Sequence, residues 1–419
     1  MKHSPTNSTI RKKQILSTLL GITCLLFISI LLLKNKATLN QPSANKLISI
    51  SATPTMHPAD ISPFPEGETC ITSGATGATA TRVFPISNLV TNGKTDDYTV
   101  IQNAINTAGN AGGGIVKLPA GTFVINGHLR MKNNVTLEGV GPSTIIKAGP
   151  QFLHATPAIG YSIVSADGVS NVTIAHLTAD QQGNKLNGNE INRFLGYVIH
   201  AHHASNILVN GIYTRNPFAY SIVAEDSTNF CFKNNNTQVA TTGKYDQLDG
   251  IHVLNSSFGD VLNNYVDQGV GADGDDGLVA HTIGGTVHDI TYAGNIVRGG
   301  RGGSGMQLAL TDPTDSIYNI KIQNNEFWDS PRGIRTGYYG ENGEKGGSIH
   351  DIIIGGSEKT GNYVHDNIFN NINTGDAINI YGNGIDPYNI TVTYNKACKA
   401  GTFSVGSGMN NIVENNGNC

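Results

Sequence analysis

The chain has 419 residues, of which 51 are glycine and only 14% are charged, with a single tryptophan. Such a composition indicates many tight turns and strands and little exposed helix. The formal net charge is −4, but the first 36 residues hold six of the 27 basic residues and no acid. The rest of the chain therefore has 21 basic against 31 acidic residues, a balance that argues against nucleic acid as a partner.

An uncharged apolar run of 19 residues covers residues 15–33 and is long enough to cross a bilayer as a helix. Three basic residues at positions 11–13 precede it and favour an N-terminus in the cytoplasm. We therefore expect residues 1–14 to be a cytoplasmic tail and the run to be an uncleaved signal anchor, so that the remainder is extracytoplasmic and membrane-anchored. A cleaved signal peptide, giving a secreted protein, is the alternative.

Residues 34–93 are rich in Ser, Thr, Pro, Ala and Gly without a sustained period, which is typical of a stalk and a lead-in segment. Asp96 and Asp97 then supply N-cap chemistry, and apolar residues follow at helical spacing. The pattern predicts a short amphipathic helix over residues 97–108. We expect this helix to cap the N-terminal end of a β domain that covers residues 94–419.

A short unit recurs ten times at intervals of 22 to 38 residues, with Asn or Asp often leading into an apolar anchor residue. The anchors are Val135, Val172, Ile207, Phe230, Val261, Ile290, Ile320, Ile352, Ile390 and Ile412. Strands of fixed length joined by loops of variable length are typical of a solenoid. Asn134, Asn171 and Asn389 match glycosylation acceptors, but each falls on the repeat unit, so we interpret them first as positions of an asparagine ladder.

A second ladder of apolar residues runs out of step with the first. Its members are Ile222, Ile251, Leu278, Met306, Ile334 and Ile378. Two strands per coil are thus visible, and a third is expected. The sequence predicts an all-β protein that forms a right-handed, single-stranded parallel β-helix of about ten coils.

Acidic residues mark two successive coils of this ladder. One pattern occurs twice, as Leu248-Asp249-Gly250-Ile251 and as Asp275-Asp276-Gly277-Leu278. Strand alternation and a strand spacing of about 4.8 Å place Asp249 beside Asp276 on the outer face, with Asp275 next to them. Three carboxylates repel one another, so we expect one to keep its proton near neutral pH, which provides both a general acid and a general base. Turn formation by Asp-Gly pairs is the structural alternative.

Stacking the second ladder produces two outward columns of side chains. The first is Tyr220, Asp249, Asp276, Ser304, Arg332 and Asp376, and the second is Val223, His252, Val279, Gln307, Arg335 and Asn379. Polar groups thus collect on one face, where a groove can bind an extended polymer. The nearby residues His200, His202 and His203 are interpreted as a polar strand and turn rather than a metal site, because no acid or cysteine lies at metal-ligand spacing in the sequence.

These motifs resemble those of the polygalacturonase-type glycoside hydrolases, family 28, and related β-helix glycanases of the pectin-lyase fold. That family has the motifs Asn-Thr-Asp, Gly-x-Asp-Asp, Gly-His-Gly and Arg-Ile-Lys. This sequence has, in the same order, Leu248-Asp249-Gly250, Gly274-Asp275-Asp276-Gly277, Gly300-Arg301-Gly302 and Gly333-Ile334-Arg335. Residues 96–139 are also similar to the pectate-lyase-like module of rhamnogalacturonase and epimerase relatives.

The resemblance implies an inverting glycoside hydrolase that acts on a polysaccharide or oligosaccharide. We expect it to act without a cofactor or metal and as a monomer. It implies Asp275 as the general acid, with Asp249 and Asp276 holding and activating the water. The side chains expected to contact substrate are His252, Arg301, Gln307, Arg332 and Arg335.

The sequence departs from the family pattern at three places. Gln247 and Leu248 replace Asn-Thr, Arg301 stands where the family has a histidine, and Gly337 stands where it has the lysine that meets a uronate. With the acidic body, the last change favours a neutral or weakly acidic glycan. A polysaccharide lyase or uronan C5-epimerase of the same fold, often dependent on Ca²⁺, and a non-catalytic glycan-binding β-helix are the alternatives.

Four cysteines follow the apolar run, at positions 70, 231, 398 and 419. They allow three pairings. Cys398 with Cys419 is the most economical because it fixes the final residue. Cys231 falls at a strand position where a free buried thiol is equally ordinary.

Overall fold

The structure is a computed structural model that describes residues 69–152, 162–183, 196–239, 248–269, 274–300, 302–339, 346–367, 376–382 and 386–419. All of these residues belong to one compact unit, Pro63–Cys419. The predicted cytoplasmic tail, the predicted anchor, residues 34–68 of the predicted stalk and Arg301 lie outside the described residues. Within the described part, no helix has the length and apolarity needed to cross a membrane.

The described chain contains one helix, α1, and short strands. Helix α1 spans Tyr98–Asn110. In chain order the strands are β1 (Val83–Phe84), β2 (Asn92–Asp96), β3 (Gly114–Lys117), β4 (Gly121–Ile125), β5 (Leu129–Arg130), β6 (Val135–Glu138), β7 (Thr144–Ala148), β8 (Val164–Asp167), β9 (Ser170–Ala175), β10 (Thr178–Asp180), β11 (Ile199–His202), β12 (Ser205–Asn210), β13 (Tyr213–Arg215), β14 (Ile222–Glu225), β15 (Thr228–Lys233), β16 (Asn236–Gln238), β17 (Ile251–Leu254), β18 (Ser257–Leu262), β19 (Tyr265–Asp267), β20 (Leu278–Thr282), β21 (Thr286–Ala293), β22 (Ile296–Arg298), β23 (Met306–Leu310), β24 (Ser316–Gln323), β25 (Glu326–Trp328), β26 (Ile334–Tyr338), β27 (Ser348–Gly355), β28 (Tyr363–His365), β29 (Ile378–Ile380), β30 (Tyr388–Thr393), β31 (Lys396–Cys398), β32 (Phe403–Val405), β33 (Ile412–Glu414) and β34 (Gly417–Asn418).

These strands form three parallel sheets that the chain visits in turn. Sheet A contains β1, β3, β6, β9, β12, β15, β18, β21, β24, β27, β30 and β33. Sheet B contains β2, β4, β7, β10, β13, β16, β19, β22, β25, β28, β31 and β34. Sheet C contains β5, β8, β11, β14, β17, β20, β23, β26, β29 and β32. The architecture is a right-handed parallel β-helix, as predicted, with twelve strands in each of the two longer sheets and ten in the third.

The register of sheet C agrees with the second predicted ladder. Ile251 pairs with Leu278, and Leu278 pairs with Met306. These side chains are fully buried and belong to one apolar core that extends along the axis of the helix. A single coil cannot bury its inward face alone, so stacking of successive coils supplies the core.

The first predicted ladder is wrong at two positions. Phe230 pairs with Gly259, and Gly259 pairs with Ile290, so Val261 lies two residues past its predicted place. A Cβ atom on Gly259 would lie 2.1 Å from Cζ of Phe230, which shows that the phenylalanine ring fills the missing side chain's space. The final anchor is also displaced, because Ile412 pairs with Thr391.

Two ladders of stacked asparagines run from coil to coil. Asn171 donates from Nδ2 to Oδ1 of Asn134 at 2.8 Å, and Asn206 donates to Asn171 at 2.7 Å. All three have positive φ, which asparagine tolerates. A second, more buried ladder lies between sheets A and B and consists of Asn235, Asn264, Asn295, Asn325, Asn362, Asn395 and Asn416. Stacked amides supply the turns with the hydrogen bonds that buried backbone groups require.

Helix α1 covers the first coil, close to its predicted limits. It buries Ile101, Ile105 and Ala108 in the common core. The carboxylate of Asp96 accepts the N–H of Tyr98 at 3.0 Å. The β-helix itself begins earlier than the predicted boundary at residue 94, because β1 pairs with β3 and β2 pairs with β4.

Two disulfides tie down the ends of the described chain. Cys398 is bonded to Cys419, the pairing expected to be most economical. Cys70 is bonded to Cys231 of β15, so Cys231 is not a free thiol. The lead-in segment is fixed further by Ser73, whose N–H and hydroxyl both donate to the carboxylate of Asp260 at 2.7 Å.

Candidate active site

Sheet C and the turns before its strands carry the predicted polar columns. The N–H of Gly250 donates to the carbonyl of Asp276 at 3.0 Å, and the N–H of Gly277 donates to that of Ser304 at 2.9 Å. These bonds stack Asp249, Asp276 and Ser304 at equivalent points of three successive coils. In the second column, His252, Val279, Gln307 and Arg335 pair in the predicted register.

The three aspartates form a compact group, which we call the carboxylate cluster (Asp249, Asp275 and Asp276). One oxygen of each residue lies within 4.8 Å of the others. Asp249 and Asp276 are only 5% and 3% exposed, whereas Asp275 is half-buried. Buried carboxyl groups are costly unless they are hydrogen-bonded or protonated, so the partners of the two buried members decide their charge.

Asp276 has the partners of an ionised carboxylate. Its Oδ1 accepts the N–H of Ser304 at 2.7 Å and also the Ser304 hydroxyl, and Arg335 Nη2 lies 3.7 Å away. Burial raises the pKa of Asp276 above its usual value, and Arg335 and Ser304 offset only part of that rise.

Asp249 is the member of the pair whose surroundings favour the protonated form. Its Oδ1 accepts the N–H of Asp276 at 3.1 Å, and its Oδ2 lies 2.7 Å from Nδ1 of His252. Burial, and then the neighbouring charge of Asp276, hold the pKa of Asp249 well above its usual range. Since two adjacent carboxylates do not both ionise readily, Asp249 keeps the proton and Asp276 carries the charge.

A chain of hydrogen bonds leads from Asp249 towards the surface. Nε2 of His252 lies 3.2 Å from Nδ1 of His281, and Nε2 of His281 lies 2.9 Å from the hydroxyl of Thr311. Burial lowers the pKa of His252 to about 4 and that of His281 to about 3, so both rings are neutral at neutral pH. A neutral imidazole has one donor and one acceptor, and all the bonds therefore run in one direction, from protonated Asp249 to Thr311.

Aromatic rings continue this face towards the N-terminal coils. Tyr220 stacks on His252 with ring centroids 4.4 Å apart, and Tyr197 stacks on Tyr220 at 5.1 Å. The planes are within 9° and 3° of parallel. Tyr197 and Tyr220 occupy equivalent positions of successive coils, whereas His252 belongs to the second column, opposite Val223. Together the three rings give the face a flat, partly apolar wall beside the carboxylate cluster.

On the C-terminal side lies a groove of about 330 Å³. It is lined by Arg335, Thr336, Gly337, Tyr338, Tyr339, Tyr381 and Gly382. The hydroxyl of Tyr339 donates to Oε1 of Gln307 at 3.0 Å. A Cβ atom on Gly337 would lie 2.9 Å from the Tyr339 ring and 3.0 Å from Cδ of Gln307. A lysine at position 337 would therefore displace Tyr339.

The structure brings most of the predicted site residues together. Six of them lie on neighbouring coils of sheet C, in its strands or in the turns before them. They are Asp249, Asp275, Asp276, His252, Gln307 and Arg335. Arg332 is half-buried in the turn before β26, one coil beyond Ser304, and the placement of Arg301 is not described.

Sequence reasoning missed His281, Thr311 and Tyr339. His281 lies two residues beyond Val279 and so on the same outward face of β20, and strand alternation alone could have identified it. Tyr339 follows the end of β26, where no repeated pattern marks it.

Two histidines of the predicted polar strand and turn, His202 and His203, lie beside carboxylates of other coils. His202 lies 2.8 Å from a carboxylate oxygen of Asp167, and His203 lies 3.9 Å from one of Asp226. These acids come from the preceding and following coils, so their spacing in the sequence did not reveal them as neighbours of the histidines.

Three parallel sheets built from stacked coils, with a cluster of aspartates on one face, define a pectate lyase-like β-helix protein. A family described as rhamnogalacturonase A/epimerase, pectate lyase-like, matches residues 87–342, and the chain belongs to that family. No curated protein sequence matches the chain.

Solved structures share the fold at low sequence identity. The chain is similar to an exopolygalacturonase from Thermotoga maritima, with a TM-score of 0.59 and 15% identity, covering 82% of this chain and 93% of that one. It is also similar to the tailspike protein of E. coli bacteriophage HK620, with a TM-score of 0.57 and 17% identity, covering 76% and 57% respectively. The predicted resemblance to pectin-lyase-fold glycanases is thereby confirmed.

Proposed function

We propose that this protein is a glycoside hydrolase that cleaves a polysaccharide or oligosaccharide. The observation that carries the proposal is the buried, hydrogen-bonded pair formed by Asp249 and Asp276 beside the half-buried Asp275. Family membership supports it, as do the names of the solved relatives, an exopolygalacturonase and a tailspike bound to a pentasaccharide.

Each carboxyl group of the cluster has a separate role in this proposal. Asp275, the most exposed of the three, donates a proton to the departing glycosidic oxygen. Ser304 and Arg335 approach Oδ1 of Asp276, and no donor among the described residues meets its Oδ2. We assign Oδ2 to the attacking water, whose proton Asp276 accepts as the general base. Asp249 orients the same water.

We expect the anomeric centre to be inverted. Retaining glycosidases hold their two carboxyl groups about 5–5.5 Å apart, and inverting ones about 6.5–9.5 Å apart. The oxygens of this cluster lie within 4.8 Å, which by itself resembles the shorter spacing. The buried pair, however, is hydrogen-bonded to Ser304 and His252 and suits holding a water better than attacking carbon. Direct displacement by that water inverts the centre.

The substrate is proposed to be neutral or weakly acidic. Arg335 lies beside Asp276, so its charge is largely compensated. Asp167 and Glu225 add negative charge along the outward positions of sheet C, which disfavours a polyanionic chain. The tyrosines of the groove provide faces on which sugar rings pack.

We further propose that the enzyme acts outside the cytoplasm as a membrane-anchored monomer. The apolar run at residues 15–33 and its basic flank motivate the anchor. The two disulfides are consistent with an oxidising compartment. Carbonate washing of membranes tests the anchor, since recovery of the full-length chain in the soluble fraction contradicts it, and sedimentation tests the monomer.

The decisive experiment is a screen of the protein against neutral and uronic polymers. Reducing ends, ultraviolet absorbance of unsaturated uronides and the NMR signal of the first-formed anomer are recorded together. Asp275→Asn should lower turnover by about 100-fold or more with unchanged thermal unfolding. Asp351→Asn, at a half-exposed position on sheet A, serves as the matched control and should retain activity. Wild-type activity in Asp275→Asn refutes the proposal.

A lyase or epimerase is the second candidate, because the matching family is described by both a rhamnogalacturonase and an epimerase. Such an enzyme yields unsaturated or epimerised uronides instead of new reducing ends with a defined anomer. Unsaturated products, or activity lost on Ca²⁺ chelation, would favour this candidate.

A further inference from the structure

A group of metal-ligand side chains lies at the edge of sheet C, away from the carboxylate cluster. We call it the histidine–aspartate cluster (His202, His203 and Asp226). His202 ends β11, and the register that pairs it with Glu225 places His203 opposite Asp226 on the next coil. One donor atom of each residue lies within 4.8 Å of the others. The cluster is thus built by two coils and not by a sequence motif.

The atoms of His203 and Asp226 have a spacing that one ion can bridge. Nδ1 of His203 and Oδ2 of Asp226 are 3.9 Å apart, too far for a hydrogen bond. Two coordinate bonds of about 2.1 Å each span at most about 4.2 Å. Both residues have φ of 47°, so the turn backbone presents them side by side.

A third coil orients the remaining ligand. Asp167 accepts a hydrogen bond from Nδ1 of His202 at 2.8 Å, which leaves Nε2 with its lone pair. This carboxylate–histidine arrangement is the usual support of a metal-binding imidazole. The ring of His202 lies 3.9 Å from that of His203, centroid to centroid, so two imidazoles converge on the same space.

The surroundings favour a cation that prefers nitrogen ligands. Glu225 pairs in register with His202 and is hydrogen-bonded to His200 at 2.8 Å. Asp167, Glu225 and Asp226 thus surround the position with carboxylates. Two imidazoles and a carboxylate suit Zn²⁺ and similar transition metals better than Ca²⁺ or Mg²⁺. The exposed fractions of His203 and Asp226, 59% and 39%, leave room for water as a further ligand.

We propose that His202, His203 and Asp226 bind a divalent transition-metal ion, with Asp167 as the positioning residue for His202. The ion would connect the coils that contain β11 and β14, and Asp167 extends the link to the coil of β8. The bound ion would stabilise the stacking of these coils locally. The proposal is independent of the reaction proposed above.

Calorimetric titration of the metal-free full chain with ZnCl₂, after purification without a polyhistidine tag, tests the site. We expect one Zn²⁺ per chain with a rise in melting temperature. His203→Ala should abolish both, and Asp167→Asn should weaken binding by about tenfold or more. His350→Ala removes a histidine that also contacts an aspartate, Asp351, on sheet A, and should bind as the wild type does.

Two results would overturn the proposal. One is absence of Zn²⁺ binding by the wild type. The other is unchanged stoichiometry in His203→Ala, which would assign the ion to the carboxylate cluster instead. Because His203 is largely exposed, this variant should melt like the wild type in EDTA, so a loss of binding is not confused with a loss of fold.

Discussion

Oδ2 of Asp249 and Nδ1 of His252 lie 2.7 Å apart on one coil, and both side chains are almost completely buried. Burial raises the pKa of the carboxyl group and lowers that of the imidazole to about 4. The two groups therefore form a neutral hydrogen-bonded pair and not an ion pair, which avoids the desolvation of two charges.

This pair predicts a pH dependence of stability. His252 has a pKa of about 4 in the folded chain and about 6.5 when unfolded, so the unfolded chain binds an extra proton between these values. Stability contributed by neutral His252 is lost as pH falls through this window, by about 2 kcal/mol at pH of about 5. Asp249 acts with the opposite sign, because its raised pKa makes the folded chain bind its proton more tightly.

His252→Asn should remove the loss of folding stability that protonation of His252 causes as pH falls. Urea unfolding near pH 7 and near pH 5 measures it, and the variant should lose less stability than the wild type over this interval. His281→Asn should act in the same direction, since the folded-state pKa of His281 is about 3. An equal loss in the wild type and both variants would show that neither histidine is held neutral.

Arg335 is expected to keep Asp276 ionised. Its guanidinium lies 3.7 Å from Oδ1 of Asp276 and opposes the rise in the pKa of that carboxyl group that burial causes. Arg335→Met should raise that pKa, so that the acidic limb of the kcat/KM profile moves upward by about 1–3 pH units. Arg335→Lys keeps a charge and should shift the limb less. An unmoved limb in Arg335→Met would exclude Asp276 as the ionised base.

Gly337 is expected to be essential to the shape of the groove. Adding a methyl group there brings it to 2.9 Å from the Tyr339 ring and 3.0 Å from Cδ of Gln307, so the tyrosine must move. Gly337→Ala should raise KM by roughly tenfold, equivalent to about 1.4 kcal/mol of binding, with a smaller change in kcat. Gly417→Ala is the matched control, because nothing lies within 4 Å of its added Cβ. Equal KM values in both variants would contradict this role.

The two disulfides should differ in their contributions to stability. Cys70 and Cys231 are 161 residues apart, whereas Cys398 and Cys419 are 21 apart. In the chain-entropy model the longer loop gives about 2 kcal/mol more stabilisation. Cys70→Ala should therefore lower the free energy of unfolding more than Cys419→Ala does, as measured by denaturant titration. The reverse order would show that local contacts, such as those of Ser73 with Asp260, dominate.

The sequence by itself determined the coil architecture and the placement of the central site residues. Inward apolar residues alternate with period two along each strand, and a shift of one residue would turn every one of them outward. The register of Ile251, Leu278 and Met306 was therefore predictable. The same alternation placed Asp249 one coil from Asp276, so the carboxylate cluster followed from the pattern.

Only the tertiary structure decided the contacts that no repeat marks. Gly259 carries no side chain to identify its register, which the ring of Phe230 sets instead. The partner of Cys231 is Cys70, in the lead-in segment outside the repeat.

The same limit applies to the charges of the site and of the histidine–aspartate cluster. Asp226 is next to His203 because consecutive coils stack, and Tyr339 reaches Gln307 from beyond a strand end. Which of two adjacent aspartates keeps its proton depends on burial and on the positions of Ser304 and Arg335. These are properties of side-chain packing in three dimensions, and a one-dimensional period carries no information about them.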